Sequence, residues 1–356
     1  MKHLISKIKN RKFTITLIIS FFCVLSIFIF SAQIGNAISQ SIENCLEIII
    51  PGIFPMMFIT TFITKTGFSQ SIHKRLHKLL SALFGTEGTS VEAIITGLTG
   101  GYNIAVSSAC NLLERGIISA TSARRIALYF TNPGIAFTVN VTGIALFNNV
   151  KTGIRFYLIS ATVCTVTAFI NNAKHKNSCA VKTSENKESL SQNFVNSVLF
   201  SSQGIINICF SMILFSAFGA IVTNIIPIKA LSGLFIALSE VSSGVIYSTE
   251  NYPAYITLFV LVFGGFCVYI QNISLLEKLH IGFKDYFSVR LLQASLCTLV
   301  EYIFCKLSPE TVSTAANNVI LAPHKSSSLG SAALIFLCII FMIEVRRLRT
   351  SGKIRH

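Results

Sequence analysis

The chain has 356 residues, of which 52% are hydrophobic and only 12% are charged, and it carries a formal net charge of +15. Soluble domains carry about 25% charged residues, so this composition excludes an ordinary cytosolic enzyme and indicates a membrane protein. Asp285 is the sole aspartate among 14 acidic residues, and no nucleotide-binding, metalloprotease or serine-hydrolase motif occurs, so phosphoryl transfer with paired aspartates is excluded and no enzyme is expected.

The first predicted membrane crossing runs from Phe13 to Ile34, because about twenty apolar residues span a hydrocarbon core. Five lysines and arginines precede it, which predicts a cytoplasmic N-terminus. Further crossings are predicted at Ile38–Ile63, Ile126–Phe147, Gly153–Ile170, Val198–Ile226, Ala254–Leu276, Phe287–Leu307 and Leu329–Val345. The expected fold class is therefore an all-α integral membrane protein with about eight transmembrane helices.

Two apolar stretches remain, Val91–Leu113 and Lys229–Tyr247, and both are rich in glycine, serine and threonine. Irregular backbone at membrane depth is tolerated where it lines a cavity. We therefore predict that each stretch is a re-entrant hairpin, which enters and leaves the membrane on one side.

Basic residues support this topology. The segments that it places inside the cell contain 24 of the 29 lysines and arginines, including three between Lys278 and Arg290. The exceptions are Lys151, Arg155, Lys229, Lys306 and Lys325. The bias predicts that both termini are cytoplasmic. It also accounts for the positive net charge, so nucleic-acid binding is not needed to explain that charge. In nucleic-acid-binding proteins the basic patches are interleaved with aromatic residues on a soluble face.

No metal or cofactor is expected. His73 and His77 have the i,i+4 spacing of a helical metal site, but their basic surroundings, SIHKRLHKLL, favour a face at the membrane surface. No CxxC pair occurs, and nine of the ten cysteines lie in or beside apolar segments. Those cysteines are typical of small buried hydrophobic residues.

One order of elements is predicted twice: crossing, hairpin, broken crossing, crossing. The first unit covers residues 38–170 and the second covers residues 194–307, which begins in the opposite direction, so we predict an inverted repeat. A polar, lysine-rich cytoplasmic linker, residues 171–193, separates the units. Residues 1–37 are expected to form an anchor helix, and residues 308–356 a C-terminal helix with a basic tail.

Four interruptions fall at matched places in the two units: Gly97–Asn103, Thr131–Gly134, Ser239–Gly244, and Gly264–Gly265 leading to Gln271. In transporters built from inverted repeats, the N-termini of half-helices face an anion, and unwound carbonyls hold a cation. A packing kink is the alternative for each break. The predicted substrate-binding residues are Gly100, Gly101, Tyr102, Asn103, Asn132, Gly134, Ser242, Ser243, Gly265 and Gln271.

Two glutamates at membrane depth are candidates for coupling. Glu240 lies within LFIALSEVSSGVIY and Glu301 within CTLVEYIFC, where a carboxylate is costly enough to suggest a function or a partner. An apolar environment favours the neutral form of a carboxyl group, so Glu240 could carry a coupling proton. The structural alternatives are a Glu240 satisfied by serine hydroxyls and a Glu301 paired with a neighbouring helix.

Several motifs resemble the sporulation integral membrane protein family of the YlbJ type, which contains the Gate or nucleoside-recognition domain. They are PGIFPMMFITTFI, TGLTGGYNIAVSSACNLLERGIISATSARRIALYFTNPGIAFTV, LSEVSSGV and FGGFCVYIQNISLL. In the family pattern S-G-Y-P-x-G, Gly101 and Tyr102 match, whereas Gly100 and Asn103 depart from it. The family segment N-N-S-G is similar to Thr131–Gly134, which keeps one asparagine and the glycine.

This resemblance implies a transporter in the cell membrane or outer forespore membrane of an endospore former, with dipicolinate as its substrate. The alternatives are a non-transporting structural or assembly protein of the spore membrane and a nucleoside-type carrier. The expected partners are a small anionic substrate, membrane lipids and a coupling proton or cation, with no nucleic acid. Self-association as a homo-oligomer is left open.

Overall fold

The computed structural model describes residues 24–63, 84, 90–172, 189–226 and 228–307, with a few isolated positions before residue 24. Every regular element in these ranges is a helix. Five of the described helices are long and apolar enough to cross a bilayer: Ser31–Phe62, Val150–Asn171, Leu190–Ile225, Ala254–Lys278 and Phe283–Leu307. The chain is therefore a multi-pass membrane protein with an all-helical fold. The predicted crossing at Leu329–Val345, most of the linker and seven of the 22 residues of Phe13–Ile34 lie outside the described residues.

The first half contains α1 (Ser31–Asn44), the π-helical turn π1 (Cys45–Ile49), α2 (Ile50–Ile63), α3 (Val91–Gly100), α4 (Tyr102–Glu114), α5 (Ala120–Tyr129), the π-helix π2 (Ala136–Leu146) and α6 (Val150–Asn172). The second half contains α7 (Leu190–Ile225), α8 (Lys229–Ser239), α9 (Val241–Asn251), α10 (Ala254–Phe263), α11 (Gly265–Lys278) and α12 (Phe283–Leu307). In both halves a long helix is followed by a helix pair, a broken helix and a further long helix.

Local sequence explains where several helices begin and end. Ser189 and Gln192 form a reciprocal capping box that starts α7, and the Ser119 hydroxyl accepts a hydrogen bond from the Ser122 backbone at the start of α5. Such caps satisfy backbone N–H groups that have no partner within the helix. Gly264, with a left-handed backbone, ends α10, because glycine adopts that conformation without steric cost.

The predicted reversal between Ile34 and Ile38 does not occur. Residues 31–44 form one helix, and Phe30 occupies a turn immediately before it. Ile34 and Ser41 are buried, and they pack this helix against α7. The helix then passes through π1, just before Pro51, whose ring opposes the carbonyl four residues earlier and so distorts the helical turn.

The two long helical segments, residues 31–63 and α7, pack antiparallel. The Ser41 and Ser216 hydroxyls lie 2.6 Å apart, while the Phe58 and Phe194 rings lie 5.3 Å apart towards the opposite ends. Between these contacts Met57 packs against Gly204. The two segments are therefore in contact along much of their length.

A buried ion pair joins α6 to α12. The Arg155 guanidinium donates to both carboxylate oxygens of Glu301, with Nη2 2.8 Å from Oε1 and Nε 3.0 Å from Oε2. Glu301 is fully buried, and Arg155 lies over the Phe304 ring with its Cζ 4.5 Å from the ring centroid. These contacts join α6 of the first half to α12 of the second half.

Changing Glu301 to glutamine is expected to destabilise the protein by about 3 kcal/mol, because removing one partner leaves the other charge buried without compensation. The free energy of unfolding is measured in detergent from the loss of helical circular dichroism. The matched control is Asp285→Asn, which removes the pair between Arg124 and Asp285, whose side chains are 38% and 50% exposed. An exposed pair contributes less than about 1 kcal/mol. Equal losses of stability in the two variants would contradict a stabilising role for the buried pair between Arg155 and Glu301.

Candidate functional site

The first predicted hairpin is a pair of antiparallel helices with its tip at Gly101. Gly97 of α3 packs against Ala105 of α4, and the Thr96 hydroxyl donates to the Ser108 hydroxyl at 3.3 Å. Gly101 has φ of +107°, which favours glycine. The N-terminus of α4 has no side-chain cap. Its backbone N–H groups, with the helix dipole, form a site of positive potential that suits an anion.

The second predicted hairpin has the same construction, with its tip at Glu240. Gly244 of α9 packs against Ala237 of α8. Here the N-terminus of α9 is capped, because the Glu240 carboxylate accepts hydrogen bonds from the backbone N–H groups of Ser242 at 2.9 Å and Ser243 at 2.6 Å. A protein carboxylate thus occupies the position that is free at the first tip.

Each tip packs against the break in the broken helix of its own half. A Cβ at Gly134 would lie 2.9 Å from the Gly101 nitrogen, and a Cβ at Gly265 would lie 3.0 Å from the Ser239 oxygen. Both contacts are with backbone atoms and are tighter than a Cβ usually makes, and Gly265 also has a φ of +70°. Both positions therefore favour glycine. Both glycines lie in interruptions predicted at matched places of the two units.

Polar side chains also link the first tip to the second half. The Asn103 side-chain amide donates to Gln271 Oε1 at 3.0 Å, and the Asn272 amide donates to Asn103 Oδ1 at 2.6 Å. The Tyr102 hydroxyl donates to the Leu261 carbonyl. Elements from both halves therefore hold the first tip in place.

A cavity of about 60 Å³ lies between the two tips. The predicted residues that line it are Gly100, Gly101, Tyr102, Asn103, Gly134, Glu240, Ser242 and Gln271. Five residues of α4, π2, α9 and α11 also line it, together with Ile53 and Met57 of α2 and Ile208 of α7. The sequence did not single out these three, because an apolar residue that faces a cavity has the same local pattern as one that faces the core.

Four predicted residues lie outside the lining. Asn132 is buried and donates to the Leu98 carbonyl at 3.4 Å, Ser243 contributes its backbone N–H to Glu240, and Gly265 packs behind the second tip. Glu301 does not line the cavity. It has the geometry of a structural ion pair, which was the alternative for this residue.

One polar group in the cavity wall has no partner. Ser242 is 1% exposed, and its hydroxyl makes no hydrogen bond to any described residue. A buried hydroxyl without a partner is unfavourable. In this position it is available to a bound molecule.

The sequence reasoning missed Arg290, which it counted among the cations of an intracellular loop. Arg290 lies on α12, and its side chain is fully buried. Its guanidinium donates to the backbone carbonyls of Leu128 and Thr131, at the end of α5 and the start of the first break. One signal was available: Arg290 lies inside the predicted crossing Phe287–Leu307 rather than before it.

No protein-family model, curated protein or solved structure matches this chain.

Proposed function

We propose that the protein is a secondary transporter that moves a small organic anion across a membrane around the forespore, through the cavity between the two hairpin tips. The observation that carries this proposal is that two tips and a helix break, far apart in the sequence, line one cavity. A scaffold of packed helices needs no such arrangement. The resemblance in the motifs names dipicolinate as the substrate.

The architecture proposed for transport is an inverted repeat whose hairpins are re-entrant and enter from opposite sides of the membrane. Two features support it. Both described halves have the same order of elements, and Gly134 and Gly265 make equivalent contacts with the tips. Repeats of this kind place the substrate site at the middle of the membrane.

Anion recognition is assigned to the uncapped N-terminus of α4. Its backbone N–H groups would bind a carboxylate in the way that the α9 N-terminus binds Glu240. The Asn103 amide, Gln271 and the Ser242 hydroxyl supply further neutral polar groups. At about 60 Å³ the cavity is smaller than typical ligand pockets of roughly 300–1,000 Å³. Substrate entry therefore requires a hairpin to move, as lids do in other proteins.

Uptake of labelled dipicolinate into proteoliposomes that contain only this protein tests the proposal, with nucleosides as competitors. Accumulation or exchange of dipicolinate supports it. In vesicles that take up no dipicolinate, uptake of labelled nucleosides would instead identify a nucleoside-type carrier. If no labelled substrate enters the vesicles under any imposed gradient, transport is contradicted. A structural or assembly role in the spore membrane would then remain.

The proposed orientation places both termini and the linker in the cytoplasm. Cys179, within that linker, should therefore remain unlabelled when an impermeant thiol reagent is added to intact cells, and should react after the membrane is permeabilised. A Cys179→Ser variant identifies the labelled residue. Labelling of Cys179 from outside would reverse the orientation.

A further inference from the structure

Three charged residues are completely or almost completely buried among the described residues: Glu240, Arg290 and Glu301. Arg155 neutralises Glu301 directly. Glu240 and Arg290 form no ion pair with any described residue. Because an uncompensated charge in the interior is costly, these two opposite charges need an explanation.

The contacts of Arg290 satisfy only part of its guanidinium. Nη2 donates to the Leu128 carbonyl at 3.0 Å, and the side chain also bonds the Thr131 carbonyl and Gln293. Its Nε is buried without a partner, and so is the hydroxyl of Tyr286, one helical turn earlier. All the acceptors are neutral. The positive charge of Arg290 is therefore not cancelled by the groups that it contacts.

The position of Arg290 connects it to the proposed site. Thr131, whose carbonyl it binds, is followed by Asn132, which in turn bonds the Leu98 carbonyl near the end of α3. The guanidinium thus lies behind the first break, outside the residues that line the cavity. Glu240 forms the second tip, and the cavity separates the two tips.

The groups that face Glu240 provide no cation. On α9 they are the backbone N–H groups of Ser242 and Ser243, on α11 the Cys267 thiol, 3.8 Å from Oε1, and on π1 the Cys45 thiol. No lysine, arginine or histidine makes an ion pair with Glu240 in the described part of the chain. Arg290 is left as the buried cation that can balance this carboxylate across the site.

We propose that Glu240 and Arg290 form a charge couple across the cavity, and that a substrate carboxylate replaces Glu240 as the counter-charge of Arg290. As the anion enters, the Glu240 carboxylate takes up one proton from the medium. That proton offsets one of the two negative charges of dipicolinate, and the second faces the uncapped N-terminus of α4. This inference rests on the proposed function and specifies how protons and anions are linked.

An equilibrium binding experiment tests the couple separately from transport. Dipicolinate is titrated into the purified full-length protein in detergent, and calorimetry in buffers of different ionisation enthalpy gives the protons taken up. The wild type should take up about one proton per anion bound, and its affinity should rise as the pH falls, because protonation and binding are linked. Glu240→Gln should bind without proton uptake and without pH dependence.

Arginine variants test the other half of the couple. Arg290→Gln should bind dipicolinate about tenfold or more weakly, since the attraction of a buried cation for the anion is lost, and Arg290→Lys should recover part of that loss. Arg124→Gln removes an exposed cation of α5 and should bind as the wild type does. If Arg290→Gln fails to fold, the double variant Glu240→Gln with Arg290→Gln, which buries neither charge, provides the comparison and should bind weakly without proton uptake.

The outcomes separate the two proposals. Wild-type binding without proton uptake would overturn the couple, as would wild-type affinity in a folded Arg290→Gln or double variant. Arg290 would then serve only as a cap for the C-terminal carbonyls of α5. Absence of dipicolinate binding by the folded wild type would overturn the substrate assignment of the proposed function, on which the couple depends.

Discussion

Replacing Gly134 by alanine is expected to reduce dipicolinate uptake into proteoliposomes by about 100-fold or more, because misplacement of a site by about 1 Å has effects of that size. The new Cβ would lie 2.9 Å from the Gly101 nitrogen and 3.0 Å from the Gly100 carbonyl carbon. Both are backbone atoms, which cannot rotate away as a flexible side chain can. The first tip must therefore shift relative to the break and the cavity.

Other glycines of the chain provide controls for the Gly134 variant. A Cβ at Gly35 would meet nothing within 4 Å, and a Cβ at Gly219 would meet only the Ile236 side chain, at 3.8 Å. Alanine at either position should leave uptake at the wild-type rate. Uptake by a correctly folded Gly134→Ala protein at that same rate would show that close contact between tip and break is not needed.

The breaks were the part of this protein that local sequence specified best. Glycine, serine and threonine within apolar stretches predicted hairpins at Val91–Leu113 and Lys229–Tyr247, and α3 with α4 and α8 with α9 occupy nearly those residues. The reason is local, since glycine and proline limit helix propagation whatever surrounds them. Whether these helix pairs are re-entrant depends on the membrane, and it remains a prediction.

Long-range packing determined what the sequence could not predict. The continuous helix through Ile34 and Ile38 depends on contacts with α7, which is more than 150 residues away. Ile53 and Met57 face the cavity only because α2 packs beside it. The burial of Arg290 depends likewise on the end of α5. Hydropathy along the chain contains no information on such partners.

Glu240 illustrates the difference between finding a residue and finding its role. Its place in an apolar segment singled it out as a functional candidate, and serine hydroxyls were the alternative explanation for it. In the structure the backbone N–H groups of Ser242 and Ser243 donate hydrogen bonds to it. Glutamate is not among the residues preferred as helix N-caps.

The second large effect is expected for Glu240→Gln. Glutamine keeps the size of the side chain and one acceptor oxygen for the start of α9, but it cannot take up a proton. Accumulation of dipicolinate driven by an imposed pH gradient should fall by about tenfold or more, since the proton and the anion would no longer be linked. Exchange of dipicolinate across the membrane should persist at a reduced rate, because it needs no net proton movement.

The matched control for that variant is Glu250→Gln, which changes an exposed glutamate in the last turn of the same helix, α9. It should retain gradient-driven accumulation. The comparison uses one set of vesicles with and without the pH gradient, so each variant provides its own baseline for exchange. Full gradient-dependent accumulation by Glu240→Gln would show that this carboxylate does not carry the coupling. Loss of both accumulation and exchange would show that Glu240 acts as the N-cap of α9, because unfolding of the first turn of α9 would disrupt the second tip.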